Sequence, residues 1–216
     1  MLSCFVAVIG CAGCSTSAAV VDAGSTPSVT AAAELPVVVL GDSYTVDSAE
    51  GAGYVPPVAE AMGWAPVLEA GDGTGYLAPG RTTDPSPYGE RLDAVVAAQP
   101  DLVLVQGSTN DVGWSSAELG EAATQLYAAL AARLPAARVV VLGPLSPPGV
   151  DPGGVAAVRD VLAQVVDASG LTFIDPVAEG WLVPSDGLFA DPVHPNEEGY
   201  RVMAAQLVTA LRAEGL

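Results

Sequence analysis

The chain is expected to fold as an α/β protein whose parallel sheet is covered on both faces by helices. Three observations predict this. Short aliphatic runs bounded by Pro, Gly or Asp alternate with helix-like segments through residues 35–216, and strict alternation is the pattern of strand–helix–strand crossovers. The runs are continuously apolar, as strands buried on both faces are. The chain has 216 residues, 50% of them hydrophobic, enough for one domain with a sizeable core.

Pro36 to Leu40 (PVVVL) is the first strand, and Gly41 lets the chain turn sharply where it stops. A Gly- and Ala-rich helical stretch runs to about Met62, and Pro66 to Glu69 reads as a second strand. Tyr88 to Ala98 is helical, and Asp101 to Val105 is a third strand. The next helix is marked by Leu119, Ala122, Leu126, Leu130 and Leu134 recurring on one face. Arg138 to Leu142 makes a fourth strand, Val155 to Ala168 a helix, and Leu171 to Ile174 a fifth strand. The last helix opens at Asn196, a good cap, with Glu197 and Glu198 in the first turn where they favour the dipole. It packs Tyr200, Met203, Leu207 and Leu211. Strand order is not written in these spacings.

Charge narrows the partners. All seven basic residues are Arg, against 25 acidic residues, for a net charge of -18. Such a chain is repelled by phosphate backbones and by anionic membrane surfaces, which argues against nucleic acid and points to neutral partners. It is expected to act as a monomer.

The three Cys all fall within the first fourteen residues, so residues 35–216 hold no internal disulfide and no Cys-based metal site. Leu2 to Ile9 is an apolar run too short to cross a bilayer, and it leads into Gly10-Cys11-Ala12-Gly13-Cys14-Ser15. Residues 1–14 resemble a bacterial lipoprotein signal with Cys11 or Cys14 as the lipidated residue, although no Lys or Arg precedes the apolar run. A disordered tail is the competing reading. On the first reading the protein is exported, secreted or held at the cell surface by a lipid anchor. Residues 15–34, rich in Ser, Thr, Ala and Gly, read as a flexible linker, and 35–216 as one domain.

The informative residues lie just beyond the strands. Ser43 follows the first strand, where a Ser alone is more often a helix cap than a nucleophile. Gly71-Asp72-Gly73-Thr74-Gly75-Tyr76 follows the second, Gln106 to Asp111 the third, and a long loop ending in Asp191-Pro192-Val193-His194-Pro195-Asn196 the fifth. In a parallel sheet these all fall on one edge, so a hydroxyl, amide donors, an imidazole and a carboxylate converge. His194 is the only His, stiffened between two prolines. Asp42 and Asp111 read as backbone-bonding turn residues.

Gly41-Asp42-Ser43-Tyr44, a Gly in the second block, Gly107-Ser108-Thr109-Asn110-Asp111 and Asp191-Pro192-Val193-His194 resemble, in order, the four blocks of the GDSL/SGNH hydrolases. The resemblance covers nearly all of 35–216. It implies a three-layer α/β/α sandwich, flavodoxin-like, with about five parallel strands, and metal-independent, cofactor-free hydrolysis of acyl esters. It makes Ser43 the nucleophile, His194 the general base and Asp191 its orienting carboxylate. The oxyanion donors it implies are the Ser43 amide, the Asn110 side chain and a Gly amide, Gly73 being favoured over Gly71 and Gly75. Glu69 stands near where many members carry Asn, and Thr45 excludes the G-x-S-x-G elbow of the ordinary α/β hydrolases.

Tyr44, Tyr76, Trp114, Trp181 and Phe189 fall on crevice-side loops, so Tyr44, Trp114 and Trp181 are candidate substrate-pocket residues. The Pro147-Pro148-Gly149 and Leu182 to Asp186 loops are candidate walls. The resemblance implies a small-molecule or glycan acyl ester as partner, with a lipid or an acylated carbohydrate as the expected substrate. An acyltransferase built from the same residues is the alternative, and a phosphate- or flavin-binding protein a more distant one, since it leaves Asn110, Asp191 and His194 without a role.

Overall fold

Five parallel strands form one sheet in the order β2-β1-β3-β4-β5 in the computed structural model of the chain. The structure describes residues 1–5, 7, 10, 33–49, 51–81, 86–183 and 187–216. Cys11, Cys14, residues 15–32 and residues 184–186 of the second candidate wall lie outside them.

Side chains on a strand alternate between faces, and that alternation builds the layers. From β1 (Leu35–Gly41), β3 (Leu102–Gln106) and β4 (Arg138–Leu142), the odd-numbered Val37 and Val39 and the even-numbered Leu104 and Leu142 point to one face. There α1 (Ser43–Ala49), α2 (Val55–Met62) and α6 (Glu197–Ala213) cover them with Tyr44, Val58, Met203 and Leu207. Val38, Leu40, Val103, Val105 and Val141 point to the other face. They meet Val95 of α3 (Leu92–Ala97), Leu126 of α4 (Ser116–Arg133) and Leu162 of α5 (Pro152–Ser169). Each fully buried Val or Leu contributes about 1.5–3 kcal/mol, so the two apolar layers hold the three-layer α/β/α arrangement together. The edges are β2 (Trp64–Ala70) and β5 (Thr172–Ile174). Pro66 sits in β2, where an edge strand tolerates the missing donor.

Three local features differ from the sequence expectations. The helical stretch after β1 breaks into α1 and α2 around Gly51, whose φ is +84°, and the amides of Ala52 and Gly53 bond back to the Asp47 carbonyl at 3.0 and 3.1 Å. The helix before β3 opens as a 3-10 turn, Tyr88–Arg91. In α4 the buried stripe is Leu119, Ala123, Leu126, Tyr127 and Leu130 in place of Ala122 and Leu134. Ala123 lies four residues from Leu119, the spacing that keeps both on one face.

Strong caps set the later helices. Asp151 accepts from the Gly154 amide at 2.7 Å to start α5, with Pro152 at its first position, and Gly170 ends it at φ +66°. Asn196 starts α6 by accepting from the Gly199 amide at 2.9 Å through its side-chain oxygen, while its Nδ2 donates to the Gly187 carbonyl at 2.7 Å. The chain runs from the interior strand β1 outward to the edge strand β2, then crosses back to β3. That reversal opens a crevice at the carboxyl ends of β1 and β3, and Ser43 and Asn110 stand at those two ends.

Candidate active site

Gly41 closes β1 because no side chain fits there. A Cβ at this position would collide with Thr45 and come within 2.8 Å of Gln106 Oε1, so close approach, not a left-handed turn, requires the Gly. The Asp42 carbonyl takes the amides of Thr45 and Val46, both at 3.0 Å, and its Oδ1 takes the Tyr44 amide at 3.0 Å. The Ser43 amide, first in α1, has no place in the helical ladder and no partner among the described residues. Burial pushes the Asp42 carboxyl up to about 6, against the pull of the Tyr44 amide and of Gln106 and Ser108.

Across the crevice, the segment Asp191–His194 folds on its own carboxylate. Asp191 Oδ1 accepts from the amides of Val193 and His194, each at 2.7 Å, and Oδ2 stands 2.8 Å from His194 Nδ1. His194 Nε2 lies 3.0 Å from Ser43 Oγ. The His194 amide, then its ring, then the Val193 amide hold the Asp191 carboxyl down at about 2, so it is anionic at any ordinary pH and fixes a ring N–H on Nδ1. The Tyr44 hydroxyl donates to the Val193 carbonyl at 2.6 Å, and the Gly149 amide to the Pro192 carbonyl at 2.6 Å. Thus Pro147-Pro148-Gly149 buttresses the histidine loop and does not line the cleft.

Of the three glycines in the second block, one has an unengaged amide among the described residues. Gly71 donates to the Gly41 carbonyl at 3.3 Å and Gly75 to the Ala78 carbonyl at 3.0 Å. Gly73, left-handed at φ +68°, lines the cleft with an amide that meets no acceptor among the described residues. Asp111, fully buried, holds this loop from the third block: its carboxylate accepts the amides of Tyr76, Leu77 and Ala78 at 2.8, 2.9 and 3.0 Å. It therefore bonds a neighbouring loop and not its own turn, and burial raises its pKa against those three bonds. Asn110 Nδ2 donates one hydrogen to the Thr74 carbonyl at 3.0 Å, and a carboxamide carries a second.

A cleft of about 980 Å³ brings Ser43, His194, Asp191, Gly73 and Asn110 to one surface. The aromatic candidates are elsewhere. Tyr44 and Trp181 are core residues, the indole donating to Glu179 Oε2 at 2.9 Å, and Trp114 is exposed away from the cleft. Tyr76 is buried with its hydroxyl 2.6 Å from that of Tyr127. Sequence reading missed Asp47, Arg81, Tyr200 and Arg201, which do line the cleft. Asp47 carries a usable signal, since it lies four residues after Ser43 on one face of α1; it accepts the Tyr200 hydroxyl.

Hydroxyl, imidazole and carboxylate in hydrogen-bonded series, with three donors from separate loops facing one cleft, form an arrangement able to deprotonate a nucleophile and receive developing negative charge. The sequence profile of the GDSL-like Lipase/Acylhydrolase family matches residues 39–202. A GDSL lipase of Mycobacterium tuberculosis is 34% identical over 195 residues, covering 83% of this chain and 82% of its own. Among solved structures, the lipase/acylhydrolase of Enterococcus faecalis superposes with a TM-score of 0.64 at 20% identity, over 83% of this chain and 96% of that one. The aryl esterase of M. smegmatis superposes with a TM-score of 0.65 at 17% identity, over 83% and 99%. At such identities the likeness is one of fold.

Proposed function

The chain belongs to the GDSL-like lipase/acylhydrolase family and is an ester hydrolase; on that premise we propose that it works through Ser43, His194 and Asp191 by way of an acyl-enzyme. The carrying observation is the unbroken series Ser43 Oγ, His194 Nε2 at 3.0 Å, His194 Nδ1, Asp191 Oδ2 at 2.8 Å. Ser43 Oγ attacks the ester carbonyl as Nε2 takes its proton. Charge moves to the carbonyl oxygen, which the amides of Ser43 and Gly73 and the free hydrogen of Asn110 Nδ2 receive. The imidazolium, balanced by anionic Asp191, then protonates the leaving alcohol. Water, deprotonated by the same nitrogen, releases the acid and restores Ser43. Each proton moves between protein, substrate and water, so the cycle calls for no metal.

The walls bear on the substrate. The aliphatic side chains that line the cleft are short or compact, as in Ala52, Pro57, Ala190 and Val193, with no Leu, Ile, Met or Phe among the described residues. Asp47, Asp72, Arg81, Glu197 and Arg201 supply charged hydrogen-bonding groups around them. This surface suits a short acyl group on a polyhydroxylated alcohol better than a long chain, which calls for an extended apolar wall. The lipoprotein-like stretch from Val8 to Cys14 supports action outside the cytoplasm.

An acyl-length panel of p-nitrophenyl esters and acetylated oligosaccharides, run on wild type and Ser43→Ala, tests both parts. Activity highest on acetyl and butyryl esters and lost in the variant is expected. Full turnover by Ser43→Ala, or a preference for palmitoyl esters, overturns the respective part.

A further inference from the structure

The three donors facing the cleft come from three loops, and a half-buried guanidinium links the strand ends that precede the first two of them to Thr74. Arg91, in the 3-10 turn before α3, sends Nη1 to the Glu69 carbonyl at 2.6 Å and Nη2 to the Gly41 carbonyl at 3.1 Å and Thr74 Oγ1 at 3.0 Å. Glu69 is at the end of β2, and Gly41 closes β1 two residues before Ser43. One planar fork therefore spans the carboxyl ends of two adjacent strands and reaches the loop beyond the second.

Thr74 carries the link onward. Its hydroxyl donates to the Gly71 carbonyl at 2.7 Å, closing the turn that contains Gly73, while accepting from Arg91. Its carbonyl accepts from Ser108 Oγ at 2.9 Å and from Asn110 Nδ2 at 3.0 Å, and Ser108 Oγ in turn takes the Asn110 amide at 3.0 Å. Thr74 is fully buried and touches no part of the cleft. It thus aims the Asn110 carboxamide by occupying one of its hydrogens, and it follows Gly73 directly.

No carboxylate among the described residues pairs with Arg91, and its Nε is buried without a partner. The Tyr88 ring lies beneath the guanidinium, 5.0 Å from Cζ to the ring centroid, and the Tyr88 hydroxyl donates to the Gln106 carbonyl at the end of β3 at 2.7 Å. Desolvation lowers the Arg91 pKa. A cation held in such a place by carbonyls and a ring is costly where nothing but packing is needed, but a fork is what can bond several strand ends at once.

We propose that Arg91 and Thr74 are positioning residues that set the spacing of the Ser43, Gly73 and Asn110 donors, by binding the loops after β1, β2 and β3 to one another. This rests on the serine-esterase reading above. Displacement of a donor weakens stabilisation of the oxyanion while leaving ground-state ester binding largely intact.

The test uses the full chain with Thr74→Val, Thr74→Ser, Arg91→Lys and a p-nitrophenyl acyl ester. Inactivation by an organophosphonate is measured in parallel, since its phosphoryl oxygen occupies the same donors. Covalent labelling of wild-type Ser43 tests the serine-esterase reading by itself; the ratios between variants test the positioning. Thr74→Val is expected to lower kcat at least about tenfold with KM within about twofold, to slow phosphonate labelling in proportion, and to remain folded at assay temperature. Thr74→Ser keeps the hydroxyl and is expected to restore kcat to within about threefold of wild type. Arg91→Lys, which offers one point charge for three acceptors, is expected to behave as Thr74→Val. A wild-type kcat in folded Thr74→Val, a loss confined to KM, or a failure of Thr74→Ser to rescue each overturns the proposal. Should Arg91→Lys not fold, the Thr74 pair decides alone.

Discussion

Tyr44, in the first turn of α1, and His194, in the loop before α6, stand edge to face, with ring centroids 6.0 Å apart and planes at 64°. The residue next to Ser43 thus supports the imidazole that Ser43 meets, through its ring and through its bond to the Val193 carbonyl at 2.6 Å. Tyr44→Phe keeps the ring and deletes that bond. The Val193 carbonyl is only part-buried, so loss of its donor costs less than the about 1–3 kcal/mol of a fully buried group, and the variant is expected to melt a few degrees lower. Its kcat is expected to fall severalfold as the histidine loop loosens. Unchanged kcat with lowered melting would show that the ring alone places His194.

The proton relay predicts a grouped loss. Ser43→Ala and His194→Ala are each expected to reduce kcat by at least about 10⁴, and the double variant by no more than the worse single, because the groups act as one unit. Asp191→Asn keeps the shape but not the charge, and a loss of about 10³–10⁴ is expected. Circular dichroism must show each variant folded. Additive losses in the double variant would indicate two independent contributions and no relay.

Asn110 separates charge reception from loop support. Asn110→Ala removes the hydrogen aimed at the substrate and the one on the Thr74 carbonyl, and a fall of about 10²–10³ in kcat is expected. Ser108 still occupies that carbonyl, so the melting temperature is expected to fall by a few degrees at most. An equal loss for Asn110→Ala on an activated and an unactivated ester is the expected pattern; a loss seen on neither would remove Asn110 from the oxyanion site.

Much of the fold was legible because Val37 to Leu40, Leu102 to Val105 and Val139 to Leu142 are continuous apolar runs that only a doubly covered strand explains. Asn196 and the stripe from Tyr200 to Leu211 were equally plain, since cap and 3.6-residue period agree. Strand order is a tertiary property with no local signature, and the break at Gly51 was hidden in a run of small residues that suits a helix or a turn. The pocket aromatics misled for a physical reason. Position on a crevice-side loop does not say which way a ring faces, and Tyr44, Tyr76 and Trp181 turn inward where each polar tip finds a partner. Arg91 gave no warning, because its acceptors are main-chain carbonyls and a hydroxyl brought to it by the sheet.

Two carboxylates give opposite pH signatures in stability. Asp191 is depressed to about 2, so its contribution is present above the ordinary value and lost as pH falls from about 4 toward 2. Asp42 is raised to about 6 by burial. The folded state then binds a proton that the unfolded chain releases, so stability declines as pH rises from about 4 to 6, by an amount on the order of 2–3 kcal/mol. Asp42→Asn keeps an Oδ1 for the Tyr44 amide and cannot ionise. Denaturant unfolding at steps between pH 4 and 7 is therefore expected to show a shallower decline in the variant than in wild type. Some slope remains, because burial raises Asp111 in the same sense. Parallel wild-type and Asp42→Asn curves would mean that Asp42 titrates as an ordinary carboxyl and that water reaches it.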